Sequence, residues 1–371
     1  MSSPTPIPLH GMTDVMVAEM CAAARQPAFR AAQILDWVYA KRVRSSETML
    51  NLPKALRAWM DDAISWFEPQ VVRCLGSADT TRKYLLRLED GRLVESVLIP
   101  ASPALYGEAS DRLTLCVSSQ VGCAYGCKFC ASGLAGWTRN LAAQEIVAQI
   151  IAVERASGER ISNLVFMGMG EPLANFENLM QAVRILNAPW GVGIGARRMT
   201  ISTSGLAPQI RELATQALQV RLAISLHGAS DAVRDRIMPV NRKYPLAELV
   251  EACEFYATTK KQTLTLEYIL IEGVNDAAAD AIDLARLARR LRAKVNLIPY
   301  NTVEGLEWRR PEEHVQEKFY ESVRGNGVNV TLRREKGHDI AAACGQLRLQ
   351  VETEDGLIFS GQSAACGGLG E

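Results

Sequence analysis

The sequence predicts an α/β fold, a partial (β/α)6 barrel preceded by a helical segment and a linking β-hairpin. Two patterns carry the prediction. From about residue 112 onward, short β-branched or apolar runs alternate with helical stretches, and an Asp-Gly turn separates two apolar runs just before them. Strands alternating with helices imply right-handed crossovers and a parallel sheet. Six or seven such units fall short of the eight that close a full barrel.

The elements follow in order. In FRAAQILDWVYAKRV the residues Phe29, Ile34, Leu35, Trp37 and Val38 recur at helical spacing, and LPKALRAWMDDAISWF repeats the pattern after Pro53. KYLLRLEDGRLVESVLIP places Glu89-Asp90-Gly91-Arg92 between two apolar runs, so residues 82–100 read as two antiparallel strands. The barrel strands are expected at 113–118, 163–168, 198–203, 221–226, 264–271 and 294–299, with a seventh at 328–334. Helices are expected near 142–157, 174–187, 206–217, 246–260, 276–292 and 311–325.

Composition narrows the function classes. The chain has 371 residues with 48% hydrophobic and 22% charged, which is ordinary for a globular protein. Lys+Arg and Asp+Glu are both 41, so net charge gives no global argument for nucleic-acid binding. Between Arg25 and Arg87, however, eleven Lys and Arg face six Asp and Glu, which suits either a solvated helical face or a docking surface for an anionic partner. No apolar run is long enough to span a bilayer, and the start MSSPTPIPLHGMTD lacks a secretory pattern, so a cytoplasmic protein without membrane contact is expected. Nine cysteines in a reducing compartment then suggest metal or redox chemistry rather than a disulfide scaffold.

The sharpest signal is Cys123-Ala-Tyr-Gly-Cys127-Lys-Phe-Cys130, directly after the first barrel strand. Three thiolates on a Gly-containing loop suit three irons of a [4Fe–4S] cluster, and the missing fourth ligand leaves one iron open. A structural zinc site wants four ligands, and no nearby Cys or His pair completes one; buried, unligated thiols are the plainest alternative. Other unusual strings also follow strands: Gly168–Pro172 (GMGEP), Ser202–Gly205, Ser225-Leu226-His227 and Asn296–Asn301. The carboxyl ends of parallel strands share one rim, so chain order alone gathers Gly170, Glu171, Ser202, Ser225, His227 and Asn301 around one mouth. A glycine lets backbone approach a ligand, Glu171 suits an ammonium, and the serines and Asn301 suit carboxylate or ribose.

The triplet, with Phe129 before its last cysteine, resembles the radical S-adenosylmethionine (SAM) superfamily, whose open iron binds SAM and whose one-electron cleavage of SAM yields a 5′-deoxyadenosyl radical. VSSQVGCAYGCKFCASG, RNLAAQEIVAQI, FMGMGEPLANFENL, TISTSG, AISLHG, LIEGVND, NLIPYN and DIAAACGQL occur in one order from about residue 25 to 348. Together they resemble the bacterial dual-specificity RNA methyltransferases, which methylate carbon-2 of adenine in 23S rRNA and in some tRNAs. The resemblance implies one [4Fe–4S] cluster on Cys123, Cys127 and Cys130, two SAM molecules per turnover, and SAM contacts from Gly170, Glu171, Ser202, Ser225, Leu226, His227 and Asn301.

Adenine carbon-2 is not nucleophilic, so polar methyl transfer fails and a radical route is needed. The resemblance implies that Cys344 is methylated by a first SAM, that a hydrogen is then removed from this methyl, and that the carbon radical adds to carbon-2. Glu95 would remove the carbon-2 proton, and Cys116 would release the product by forming a disulfide with Cys344. Read from residues alone, Glu95 suits a solvent-facing strand position equally well, and Cys116 and Cys344 suit small buried positions.

The implied partners are 23S rRNA, tRNA and an electron donor such as flavodoxin or ferredoxin, with a monomeric enzyme. The implied divisions are an RNA-docking helical domain (1–75), hairpin and linker (76–111), partial barrel (112–343), and catalytic-cysteine loop with tail (344–371). Arg30, Lys41, Arg42 and Arg44, with Arg197, Arg198, Arg333 and Arg334 on the barrel, are the candidate phosphate contacts. Carbon-8 methylation, of the antibiotic-resistance type, is the alternative in the same fold.

Overall fold

The computed structural model describes residues 6–77, 80–101, 110–134, 136–303, 305–333, 346–348 and 351. The chain opens with a two-residue strand, β1 (Ile7–Pro8), which pairs with β2 (Ile64–Ser65) and so closes the N-terminal segment on itself. Between them lie helices Asp14–Ala23, Phe29–Leu35 and Lys54–Ala63. The first, absent from the sequence reading, starts where Thr13 Oγ1 accepts the Met16 N–H at 3.3 Å. The second runs on into a wider turn at Asp36–Ala40.

This segment packs against the barrel through charge as well as apolar contact. Arg42 reaches Glu154 at 2.8 Å, and Arg44 reaches Glu68 at 3.0 Å. Arg155 also holds Glu68. Two of the expected phosphate contacts are therefore occupied within the chain. Arg42 is the clearer correction, because its side chain is largely buried beside Glu154, whereas Arg44 keeps most of its surface.

Next comes an antiparallel meander: β3 (Gln70–Gly76), β4 (Arg82–Arg87) and β5 (Leu93–Pro100). The expected hairpin is β4–β5, with Leu88 N–H donating to Arg92 O at 2.8 Å and Gly91 at φ 81° in the turn. β3 was not foreseen. It is a mostly exposed edge strand with a register shift between Val71 and Arg73, too irregular to show an alternating pattern. Cys74 lies exposed on it.

β6 (Leu113–Cys116) pairs antiparallel with β5 and parallel with β9 (Asn163–Phe166). From β9 the sheet continues in parallel through β10 (Met199–Thr203), β11 (Arg221–Ser225), β12 (Thr265–Leu270), β13 (Lys294–Pro299) and β14 (Val330–Leu332). The ten strands run β14-β13-β12-β11-β10-β9-β6-β5-β4-β3, and among the described residues the first and last do not pair. The α/β partial barrel is as the sequence predicts. Arg197 and Arg198, however, precede β10 and so lie at the strands' amino ends, away from the rim that binds ligands.

A small ribbon of β7 (Gln120–Gly122) and β8 (Trp137–Asn140) brackets the cysteine loop. Gly122 has φ 78°, and a Cβ on it would sit 1.9 Å from Gly136 O, so the loop ends close only around a glycine. Helix Ala143–Ser157 behind it is buried along most of its length. Its one central amide, Gln149, joins strands that diverge: Oε1 accepts from Ser96 Oγ and Ser118 N–H, both at 3.0 Å, and Nε2 donates to Ser118 O at 3.0 Å.

Arg234, on helix Asp231–Ile237, holds the strand ends that form the rim. Its fully buried guanidinium donates to Ser204 O at 2.9 Å, to Leu226 O, and to Asn241 Oδ1 at 2.8 Å. Asn241 in turn donates to Asp231 and Asp235, both at 2.9 Å. Arg234→Met leaves these acceptors dry and unpaired. It should lower stability by about 3 kcal/mol, read as a reduced urea midpoint with the slope unchanged.

Candidate active site

A cavity of about 380 Å³ opens at the carboxyl ends of the parallel strands, within the size range of small-molecule sites. Cys123, Cys127 and Cys130 all line it. Their loop is held from outside: Lys128 N–H donates to Ile237 O at 2.9 Å, and Trp308 Nε1 donates to Lys128 O at 2.8 Å. Burial pushes the Cys123 thiol up to about 12 and the Cys127 thiol well above its usual range. Buried thiols such as these two become thiolates beside a strong positive centre, and iron supplies one. Among the described residues no group of three or more His, Cys, Asp or Glu converges to hold a metal ion. A single zinc ion would need ligands about 2.3 Å from one centre. A four-iron cube takes its cysteines at separate corners, and three thiols on one cavity wall suit that donor set.

The rim residues take their expected places. Gly170, Glu171, Ser202, Ser225, His227 and Asn301 all line the cavity. Gly170 has φ 100°, and a Cβ there would lie 2.5 Å from the Gln120 side chain. This glycine lets the loop after β9 cross the loop after β6. Ser202 and Ser225 hydroxyls are 3.2 Å apart on neighbouring strands. Glu171 is more committed than the sequence suggests. Its Oε2 accepts from Ser204 N–H at 2.7 Å and Ser204 Oγ at 2.8 Å, and its Oε1 accepts from Leu173 N–H at 3.0 Å. Burial raises its pKa, and these donors oppose the rise. Leu226 is not on the cavity wall. Its N–H donates to Glu267 O at 3.0 Å and its carbonyl accepts from Arg234.

His227 is buried, and burial lowers its pKa to about 3, helped by Arg234. Its Nδ1 accepts the Ile269 N–H at 3.1 Å, so the neutral ring carries its proton on Nε2. The ring meets Phe129, between two of the cysteines, edge to face at 4.9 Å between centroids. His227 is thus a fixed neutral donor and not an acid or base near pH 7.

Sequence reasoning missed Glu267, which also lines the cavity, as does Arg333, expected only as a phosphate contact. Glu267 is buried, which raises its pKa. Arg333 and the Asn296 amide, 3.0 Å from Oε1, act against that rise. The signal was present as one acid inside the apolar run LTLEYILI.

Cys116 lines the cavity from β6. It sits opposite Val97 on β5, and Val97 and Ile99 line the same cavity. Glu95 shares that face two residues back but lies beyond the cavity wall, buried. Its Oε2 is 3.0 Å from Lys83 Nζ, and its Oε1 accepts the Arg348 N–H at 2.7 Å. Cys344 and Arg334 lie outside the described residues. Among the described residues no two cysteines form a disulfide, so the expected disulfide bond has no support in this structure.

Comparison with known proteins agrees with this arrangement. Residues 117–285 match the radical SAM superfamily, and residues 7–65 match the ribosomal RNA large subunit methyltransferase N-terminal domain. A probable dual-specificity RNA methyltransferase RlmN of Akkermansia muciniphila is 56% identical over 326 residues, covering 88% of this chain and 91% of its own. A probable RlmN 3 of Opitutus terrae is 53% identical, covering 97% and 99%. A radical SAM methyltransferase from Sphaerobacter thermophilus, solved by crystallography, superposes with a TM-score of 0.85 at 44% identity, over 92% of this chain and 99% of that one. With its cysteine loop, rim and N-terminal segment all accounted for, the chain belongs to the dual-specificity RNA methyltransferase family of the radical SAM superfamily.

Proposed function

We propose that this chain methylates carbon-2 of an adenosine in 23S rRNA, and of an adenosine in tRNA, through a methylated Cys344. The observation that carries the reading is the single cavity shared by Cys123, Cys127, Cys130, the predicted rim residues and Cys116. Membership of the radical SAM superfamily implies a [4Fe–4S] cluster and SAM. The dual-specificity name of the matched relatives favours this reading over carbon-8 methylation.

When bound, the cluster and SAM supply a methyl group and a 5′-deoxyadenosyl radical, two SAM molecules being used per turnover. Cys123, Cys127 and Cys130 would hold three irons. Gly170, Glu171, Ser202, Ser225, the His227 Nε2–H and Asn301 would bind the polar groups of SAM, and Leu226 shapes the rim through its backbone. The Cys344 thiolate would take the first methyl, that methyl would give up one hydrogen atom to the 5′-deoxyadenosyl radical, and the carbon radical left on Cys344 would form the bond to carbon-2. Gln346, two residues beyond Cys344 in sequence, donates to Thr302 O at 3.1 Å, next to the rim residue Asn301. Glu95 accepts the carbon-2 proton. Cys116 attacks Cys344 sulfur and frees the methylated base, and a reductant reopens the transient sulfur–sulfur bond.

The target base must leave its stack, at a cost of a few kcal/mol, so unpaired adenines are preferred. Residues 1–75 are the RNA-docking part, with 76–111 as linker, 112–343 as barrel and 344–371 as the catalytic-cysteine loop and tail. Lys41 and Arg44 keep exposed side chains for phosphates. The enzyme acts in the cytoplasm as a monomer, with a flavodoxin or ferredoxin as electron donor. Among the described residues no helix is long and apolar enough to cross a membrane.

Anaerobic reconstitution with iron and sulfide tests the reading. Iron–sulfur absorbance, 5′-deoxyadenosine and 2-methyladenosine in an RNA fragment are expected. Deoxyadenosine with unmethylated RNA would overturn the substrate. Cys127→Ala should abolish both the absorbance and deoxyadenosine formation. Cys116→Ala should keep both but trap RNA on the protein, seen as a slow-migrating band on a denaturing gel. A Cys116→Ala enzyme that releases product at the native rate would remove that thiol from the scheme.

A further inference from the structure

Glu95 is held by a lysine that no part of the reaction scheme uses. Lys83 Nζ lies 3.0 Å from Glu95 Oε2, and both side chains are wholly buried. The strand register explains the encounter. Lys83 on β4 faces Val97 on β5, and Val97 faces Cys116 on β6. Glu95 is two residues from Val97, so Lys83, Glu95, Val97 and Cys116 occupy one face of the sheet. That face becomes the cavity wall at Val97 and Cys116. Farther from the cavity on the same face, Leu85 pairs with Glu95, and Leu85 and Leu93 are covered by Leu347 and Val351 of the C-terminal turn.

A buried ion pair is a poor way to add stability. Apolar side chains of similar volume fill such a space as well or better, because both charges must leave water. The pair therefore calls for another reason, and its position next to the wall that carries Cys116 gives one. We propose that Lys83 is a positioning residue for the proton-transfer step: its ammonium, paired with the buried Glu95 carboxylate, holds that carboxylate along the sheet toward the cavity. The Arg348 N–H, 2.7 Å from Oε1, occupies the second oxygen when the turn is docked. In the step itself the carbon-2 proton passes to the Glu95 carboxylate, which becomes a neutral acid.

This inference rests on the assignment of Glu95 as the base, and the test separates the two. Lys83→Gln keeps a donor of similar reach without the charge, Lys83→Met removes both, and Lys83→Arg keeps the charge. Each is purified as full chain, reconstituted anaerobically and checked for native urea unfolding. Deoxyadenosine, RNA trapped on the protein and 2-methyladenosine are then measured in one reaction. Lys83→Gln and Lys83→Met should form deoxyadenosine at the native rate, accumulate trapped RNA, and release methyladenosine about 10²-fold more slowly, at the lower end of general-base effects. Lys83→Arg should recover most of that loss. A folded neutral variant that releases product normally while Glu95→Gln does not would overturn the role of Lys83 alone. Normal release by Glu95→Gln would overturn the base assignment as well. If neither neutral variant folds, the pair is a structural strut and the proposal falls.

Discussion

The register across β4, β5, β6 and β9 is the constraint on which the site depends. Lys83, Val97, Cys116 and Val165 stand in one row, because each is the direct partner of the next. The row crosses the point where antiparallel pairing gives way to parallel pairing. On the parallel side the strand ends build a cavity for a cofactor, and on the antiparallel side the same face carries a buried carboxylate. A slip of one residue between β5 and β6 would turn Cys116 away from the cavity, since side chains alternate faces. The long antiparallel arm is therefore part of the active site and not only a linker to it.

The barrel was legible because its signals are local. Six apolar runs alternate with helical patterns, and the strings after them fall on one rim whatever the loop details. The three cysteines were legible through spacing alone. Other features were hidden because they depend on pairing between distant segments. The edge strand β3 has no alternating pattern, and the ribbon of β7 and β8 is made by glycines that allow a close approach. Glu95 looks like any strand acid until Lys83 and Arg348 are found beside it, and Arg348 lies 253 residues away in sequence.

Charge was the least legible property. The N-terminal excess of cations suggested a free basic surface, yet Arg42 is buried against Glu154, and Arg44 and Arg155 share Glu68. Counting residues cannot show this, because the acids that neutralise them come from other elements. The same holds inside the site. Glu171 looks free to receive an ammonium, but Ser204 and Leu173 already engage both of its oxygens. Its carboxylate locks the loop after β9 to the loop after β10, so the cavity floor is set before any ligand arrives.

The contact between Glu95 and residue 348 is made by a main-chain amide rather than by a side chain. An amide of this kind is supplied by nineteen of the twenty amino acids, so the identity of residue 348 can drift over generations while the clasp persists. Proline alone, with no N–H to give, is barred from that position.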